Sequence, residues 1–168
     1  MQARPHLARY SNVNQRALRE APRSARPEAR LDAVLLQHTD VLAARRSVLA
    51  IAPDVELFEL LESMSNLEIA YAARSRAAAL GFADGVFDVV VTDSRRSGGV
   101  AERAGARELS RVLRPGGRLI IAAACACAPQ LRRRLECEGF LVALAAADER
   151  SELLVGVAGE FSAARPGR

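Results

Sequence analysis

Asp93 and Ser94 follow a run over residues 87–91 that is apolar apart from Asp88, and a single threonine. A carboxylate and a hydroxyl at the end of a buried strand can take up a proton or hold a ligand hydroxyl. Open α/β sheets collect their ligands at the carboxyl ends of the strands, so Asp93 and Ser94 are the candidates for any catalysis. Asp93 has a second reading, as a cap of the following loop or helix, and both readings stay open here. Cys125 and Cys127 form a Cys-x-Cys pair, which needs further ligands to hold a metal or run redox chemistry. Cys137 is the one other cysteine, and neither His6 nor His38 has a motif around it. No metal is expected. Cys125 and Cys127 read as small buried thiols at a strand end, with Cys137 on a helix, and His38 as a histidine at the edge of an apolar helix face.

These side chains can act only if the elements around them form a sheet. After the strand over 87–91 comes a Gly98-Gly99 loop, then a segment of helical period with Ala101, Ala104, Leu109, Val112 and Leu113 available to one buried face. Arg114-Pro115-Gly116-Gly117 stops that helix, because proline cannot continue it and glycine accepts a tight turn. Leu119-Ile120-Ile121-Ala122 reads as a second buried strand. Strand, helix and strand make a right-handed βαβ unit, and continuous apolar strands argue for a parallel sheet covered on both faces. Upstream, Leu31, Val34, Leu35, His38, Val41 and Leu42 fall at helical spacing, and residues 47–52 form a short β-rich run. Pro53 and Asp54 make a helix start for a helix over 54–64, followed by a strand over 67–71. Downstream, a helix over 130–138 turns Leu131 and Leu135 inward and Arg132-Arg133-Arg134 to solvent. Gly139 ends it, and a hairpin over 140–146 and 152–157 closes the domain.

Two blocks carry a family resemblance. Phe82-Ala83-Asp84-Gly85-Val86-Phe87-Asp88-Val89-Val90, followed by Glu108-Leu109-Ser110-Arg111-Val112-Leu113-Arg114-Pro115-Gly116-Gly117-Arg118-Leu119, resembles the class I S-adenosylmethionine-dependent methyltransferases. The likeness is to their small-molecule, "methyltransferase type 11"-like branch and covers residues 31–158. It implies an α/β fold, a three-layer αβα Rossmann-like sandwich whose mostly parallel sheet ends in a C-terminal antiparallel strand. It also implies S-adenosylmethionine as cofactor.

The same comparison shows where the chain departs from its relatives. The family's first strand leads into a Gly-rich turn that lies against the methionine part of the cofactor; here Ala52-Pro53-Asp54-Val55-Glu56 follows instead. The acidic residue that ends the second strand and holds the ribose is replaced by Ala72-Ala73-Arg74. Position by position, the resemblance assigns cofactor contact to Ala52, Asp54, Leu80 and Asp93. Between Ala52 and Phe82 there is room for one helix and one strand where relatives place two of each. The sheet is therefore expected to be one β/α unit shorter than usual. Whether residues 67–71 match the family's second or third strand stays open.

Charge and composition complete the reading. The 168 residues carry 24 basic side chains, all arginine, and a net charge of +4. Residues 1–30 hold seven arginines against Glu20 and Glu28, so the excess sits in an N-terminal arm and the domain over 31–158 is close to neutral. Residues 159–168 read as a loose tail. The arm suits an acidic partner protein; with Tyr10 its one aromatic, stacking on nucleic-acid bases is not supported. No apolar run nears the roughly 18 residues of a membrane span, and an odd number of cysteines fits a reducing, cytoplasmic setting. Two functions follow. One is a non-catalytic methyltransferase-like subunit or scaffold that has lost normal cofactor binding and works with a protein partner or as a homo-oligomer. The other is an active small-molecule methyltransferase with a remodelled cofactor site.

Overall fold

The computed structural model describes residues 46–72, 79–97, 99–100, 102–147 and 151–159. The arm over 1–30, the helix expected from Leu31 with His38, Arg74, the turn over 148–150 and the tail from residue 160 lie outside the described residues. Six strands form one sheet: β1 (Arg46–Ile51), β2 (Leu67–Ala72), β3 (Phe87–Asp93), β4 (Leu113–Ala124), β5 (Phe140–Ala147) and β6 (Ser151–Ala158). Their order across the sheet is β2-β1-β3-β4-β6-β5. β2, β1, β3 and β4 pair in parallel, and β6 lies antiparallel between β4 and β5.

Among the described residues three helices cover the sheet: α1 (Val55–Ser63), α2 (Arg103–Val112) and α3 (Ala128–Cys137). Side chains alternate across a strand, so β1 sends Val48 and Ala50 to one face and Leu49 and Ile51 to the other. Leu57 and Leu61 of α1 pack with the first pair, beside Val89 and Val91. Ala106 and Leu109 of α2, with Leu131 and Leu135 of α3, pack with the second, beside Val90 and Ile121. Helices on both faces explain why the strands read as continuous apolar runs rather than as alternating ones. The result is a three-layer αβα sandwich with a Rossmann-like sheet.

Between β1 and β3 the described residues hold one helix and one strand. β2 pairs with β1 along its whole length, Arg46 opposite Leu67 and Ile51 opposite Ala72. The chain leaves β1 toward β2 and leaves β3 toward β4, on opposite sides. The point where the order reverses lies between β1 and β3, which is where open α/β sheets open a crevice.

Three details differ from the sequence reading. The buried face of α2 is Gly105, Ala106, Leu109, Ser110 and Val112, while Ala104 is exposed and Ala101 lies outside the described residues. The shift arises because Gly105 lets the helix lie directly on the backbone of Gly99 and Val100. Leu113 both closes α2, its N–H donating to Leu109 O, and opens β4: it pairs with Phe87, and the next pair is Val89 with Arg118. Arg114-Pro115-Gly116-Gly117 is thus an outward loop inside the strand, with Gly116 at φ +75°, a conformation glycine adopts without strain. Lastly, Cys127 and Cys137 are exposed and Cys125 is half-buried, so the two strand-end thiols are not the buried packing groups expected. Cys127 stands where the chain turns out of β4 into α3, on the solvent side of the sheet's end.

Candidate functional site

The crevice between β1 and β3 is built from two turns. The first leaves β1. Its Ala52 sits at φ +48°, the one non-glycine residue at positive φ among the described residues, and its N–H donates to Ala72 O at the end of β2 (3.0 Å). Pro53 follows, buried, and Asp54 caps α1: its Oδ1 accepts from Leu57 N at 2.9 Å.

The second turn leaves β3 and is organised by Asp93, only 4 % exposed. Its carbonyl accepts from Arg96 N (3.0 Å) and Ser97 N (2.8 Å), and Ser97 Oγ donates to it at 2.6 Å. Its carboxylate accepts from Arg95 N at 2.9 Å, the short side-chain turn that aspartate favours. The Arg95 guanidinium then folds back as a fork, Nε on Oδ1 at 3.0 Å and Nη2 on Oδ2 at 2.8 Å. Arg96 spans the two turns, its Nε 3.7 Å from Asp93 Oδ2 and its Nη2 4.0 Å from Asp54 Oδ2. Beneath them, Thr92 Oγ1 lies 2.8 Å from Ser97 Oγ and 3.3 Å from Ile51 O, which ties β3 to β1.

Of the residues singled out from the sequence, Ala52, Asp54 and Asp93 come together at this crevice, with Arg96 joining the two carboxylates. Ser94 adjoins them and donates its N–H to Ala122 O at 2.8 Å. Leu80 belongs to a different set of contacts: it is buried in the α2-side core, and its N–H donates to Glu108 Oε2 at 3.3 Å. Sequence reasoning missed Arg95, Arg96 and Ser97. The signal was there, since two arginines directly after a buried aspartate are within reach of it. It also missed that Ala52 keeps a glycine-like backbone.

That backbone is testable. An alanine in the left-handed region costs about 1–2 kcal/mol, and glycine's greater chain entropy returns about 0.5–1 kcal/mol of this. Ala52→Gly is therefore expected to stabilise the protein by about 0.5–1 kcal/mol, raising Tm by about 1–4 °C in a thermal melt. An unchanged Tm would mean that the Ala52 methyl gains as much in packing as its backbone loses.

The residues that carry the family resemblance lie at the other end of the sheet. Asp84 and Phe82 O both receive Arg111 Nη1, and Arg111 forks onto Glu108 with Nε–Oε1 at 2.9 Å and Nη2–Oε2 at 2.7 Å. Asp88 accepts from Ser47 N (2.9 Å) and from Arg114 Nη1 (2.7 Å). The two sequence blocks bind one another and lock the amino ends of β1 and β3 to α2. Their chemistry is structural.

It also sets an acid limit. The Arg111 hydrogen bonds outweigh burial and hold the Glu108 carboxyl below its ordinary pKa. Burial pushes Asp88 up, but Ser47 and Arg114 together bring it below its ordinary value. A carboxylate depressed in the folded state contributes stability that is complete above its unfolded pKa and is lost as pH falls through the folded one. Urea midpoints are expected to stay level from about pH 7 to 5 and to fall below about pH 4. Asp88→Asn with Glu108→Gln should flatten that fall; an equally steep fall in the double variant would assign it to other carboxylates.

No family model matches the chain, and no curated protein matches it. The likeness is to solved structures. A carbon methyltransferase, DszA, aligns at TM-score 0.57 and 16% identity over 76% of this chain and 52% of its own. A T. thermophilus 16S rRNA N2 methyltransferase, solved with AdoMet and guanosine, aligns at 0.53 and 16% identity over 68% of this chain and 35% of its own. The PH0226 protein from Pyrococcus horikoshii OT3 aligns at 0.54 and 14% identity, over 77% and 90%. The chain thus spans about half and about a third of the first two. At these identities the likeness is one of architecture: the chain has the Rossmann-like fold seen in methyltransferases.

Proposed function

We propose that this chain is a methyltransferase-like subunit that has lost normal S-adenosylmethionine binding and serves as a non-catalytic scaffold for a protein partner. The observation that carries this reading is the state of the crevice. Asp93 and Asp54 hold Arg95, Arg96 and the first turn of α1, so neither of these two carboxylates is left open to a ribose or an amine. Pro53 has no N–H to offer a ligand, and Ala52 spends its own on Ala72 O. The groups present do not fit S-adenosylmethionine as they are arranged, and no methyl-transfer step is derived from them. The Arg-rich residues 1–30 supply the charge to dock an acidic partner, and three cysteines in thiol form suit the cytoplasm.

One observation favours the alternative, an active small-molecule methyltransferase with a remodelled site. Ala52 retains the positive φ of a glycine turn, and an AdoMet complex is among the similar structures. Calorimetric titration of the whole protein with S-adenosylmethionine and S-adenosylhomocysteine separates the two. The scaffold reading expects no heat at millimolar ligand from protein that is folded by circular dichroism. Micromolar binding of either ligand would sink it, and Asp54→Ala and Asp93→Ala would then test the cofactor contacts.

A further inference from the structure

Among the described residues, the exposed large apolar side chains are Leu141 at 75 % and Leu144 at 51 %, and both stand on β5. Among the described strands β5 lies at the edge of the sheet. Its eight residues, FLVALAAA, include no charge and no proline, two of the devices that ordinarily keep an open edge from pairing, and its one register shift against β6 falls between Leu144 and Ala146, beyond both leucines. Three positions apart on a strand, the two leucines project to opposite faces of the sheet. A helix lying on one face would cover one of them and leave the other in water. An element that extends the sheet beside β5 meets both.

We propose that this element is β5 of a second copy of the chain, paired antiparallel about a two-fold axis normal to the sheet. The charges beside the strand point to a copy rather than to another protein. On α3, Arg132 and Glu136 are each half-exposed and paired, Nε to Oε1 at 3.1 Å. Arg132 Nη2 also donates to Val142 O at 3.1 Å, which places the guanidinium at the rim of β5. The two-fold axis sets the α3 helices side by side and antiparallel. Arg132 then faces the partner's Glu136, and Glu136 faces the partner's Arg132. A rim with one cation and one anion four residues apart is its own complement under that symmetry. Pairing also gives Val142 O a backbone donor and frees Arg132 for the exchange. A groove of about 620 Å³ bounded by Leu141, Val155, Val157 and Glu136 receives apolar side chains that the second strand brings. The crevice between β1 and β3 takes no part, so this dimer stands or falls independently of cofactor binding.

Sedimentation velocity on the full chain from about 1 to 100 µM tests it. Wild type is expected to dimerise reversibly. Leu141→Lys, at an exposed position that leaves the core intact, should weaken the dimer by about tenfold or more. Arg132→Glu and Glu136→Arg should each weaken it, and the two together in one chain should restore it. A wild-type monomer at about 100 µM, including one that instead binds a different protein, would overturn the proposal. So would a dimer indifferent to Leu141→Lys, or a double reversal no tighter than its singles.

Discussion

A Phe87→Ala variant is expected to unfold with a free energy about 3–5 kcal/mol below wild type. Phe87 is completely buried at the start of β3, in the core shared with α2 and α3. Its ring meets Phe82 edge-on, centroids 5.0 Å apart at 89°, a geometry that contributes about 0.5–1.5 kcal/mol beyond the buried area. Removing the ring leaves a cavity and loosens Phe82, whose carbonyl is held by Arg111. Domains of this size are stable by about 5–15 kcal/mol, so the loss would take a large share of the total and, at the lower end of that range, bring the protein close to its unfolding midpoint at ambient temperature. Urea denaturation followed by circular dichroism measures it. A loss under about 1 kcal/mol would show that the core closes around the gap.

Gly105→Ala is expected to destabilise by a net of about 1–3 kcal/mol, although alanine is the better helix former by about 1 kcal/mol. Gly105 is buried in α2. A methyl there would stand 2.7 Å from Val100 Cα and collide with Gly99 O. Both are backbone atoms, so relief requires moving the helix or the loop and not merely turning a side chain. The same substitution at an open helical site would stabilise. The direction of the change in urea midpoint therefore reports whether α2 truly lies on that loop, and a stabilised variant would refute the contact.

Most of the architecture was legible in the sequence because it rests on local rules. Continuous apolar runs gave β1, β3 and β4, and Asp54 marked the start of α1. Gly139, at φ +92°, marked the end of α3. The short connection between Ala52 and Phe82 foretold a sheet lacking one β/α unit. The departures came from packing across the chain. Ala104 and Gly105 are equally plausible inward residues on a helical wheel, and only the approach of Gly99 and Val100 decides between them. The crevice was legible in its members but not in its state. Asp93 and Asp54 could be named from their positions at element boundaries, yet their occupation by Arg95 and Arg96 depends on side-chain directions that spacing does not encode. The family blocks were conspicuous for a different reason: they bind each other at the amino ends of the strands, so they report the fold and are silent about the crevice.

The placement of β6 has a consequence for how the chain is made. Among the described strands β6 is made last, yet it belongs between β4 and β5. From Ala124, where β4 is complete, 34 further residues must be added before Ala158 finishes β6. At translation rates of about 5–20 residues per second, that interval lasts about 2–7 s. Throughout it the flank of β4 that β6 takes is vacant, and β5 lacks its β6 partner. The nascent protein is therefore most vulnerable to misassociation late in synthesis. Slowed translation between residues 124 and 158 should harm its yield more than the same delay placed earlier.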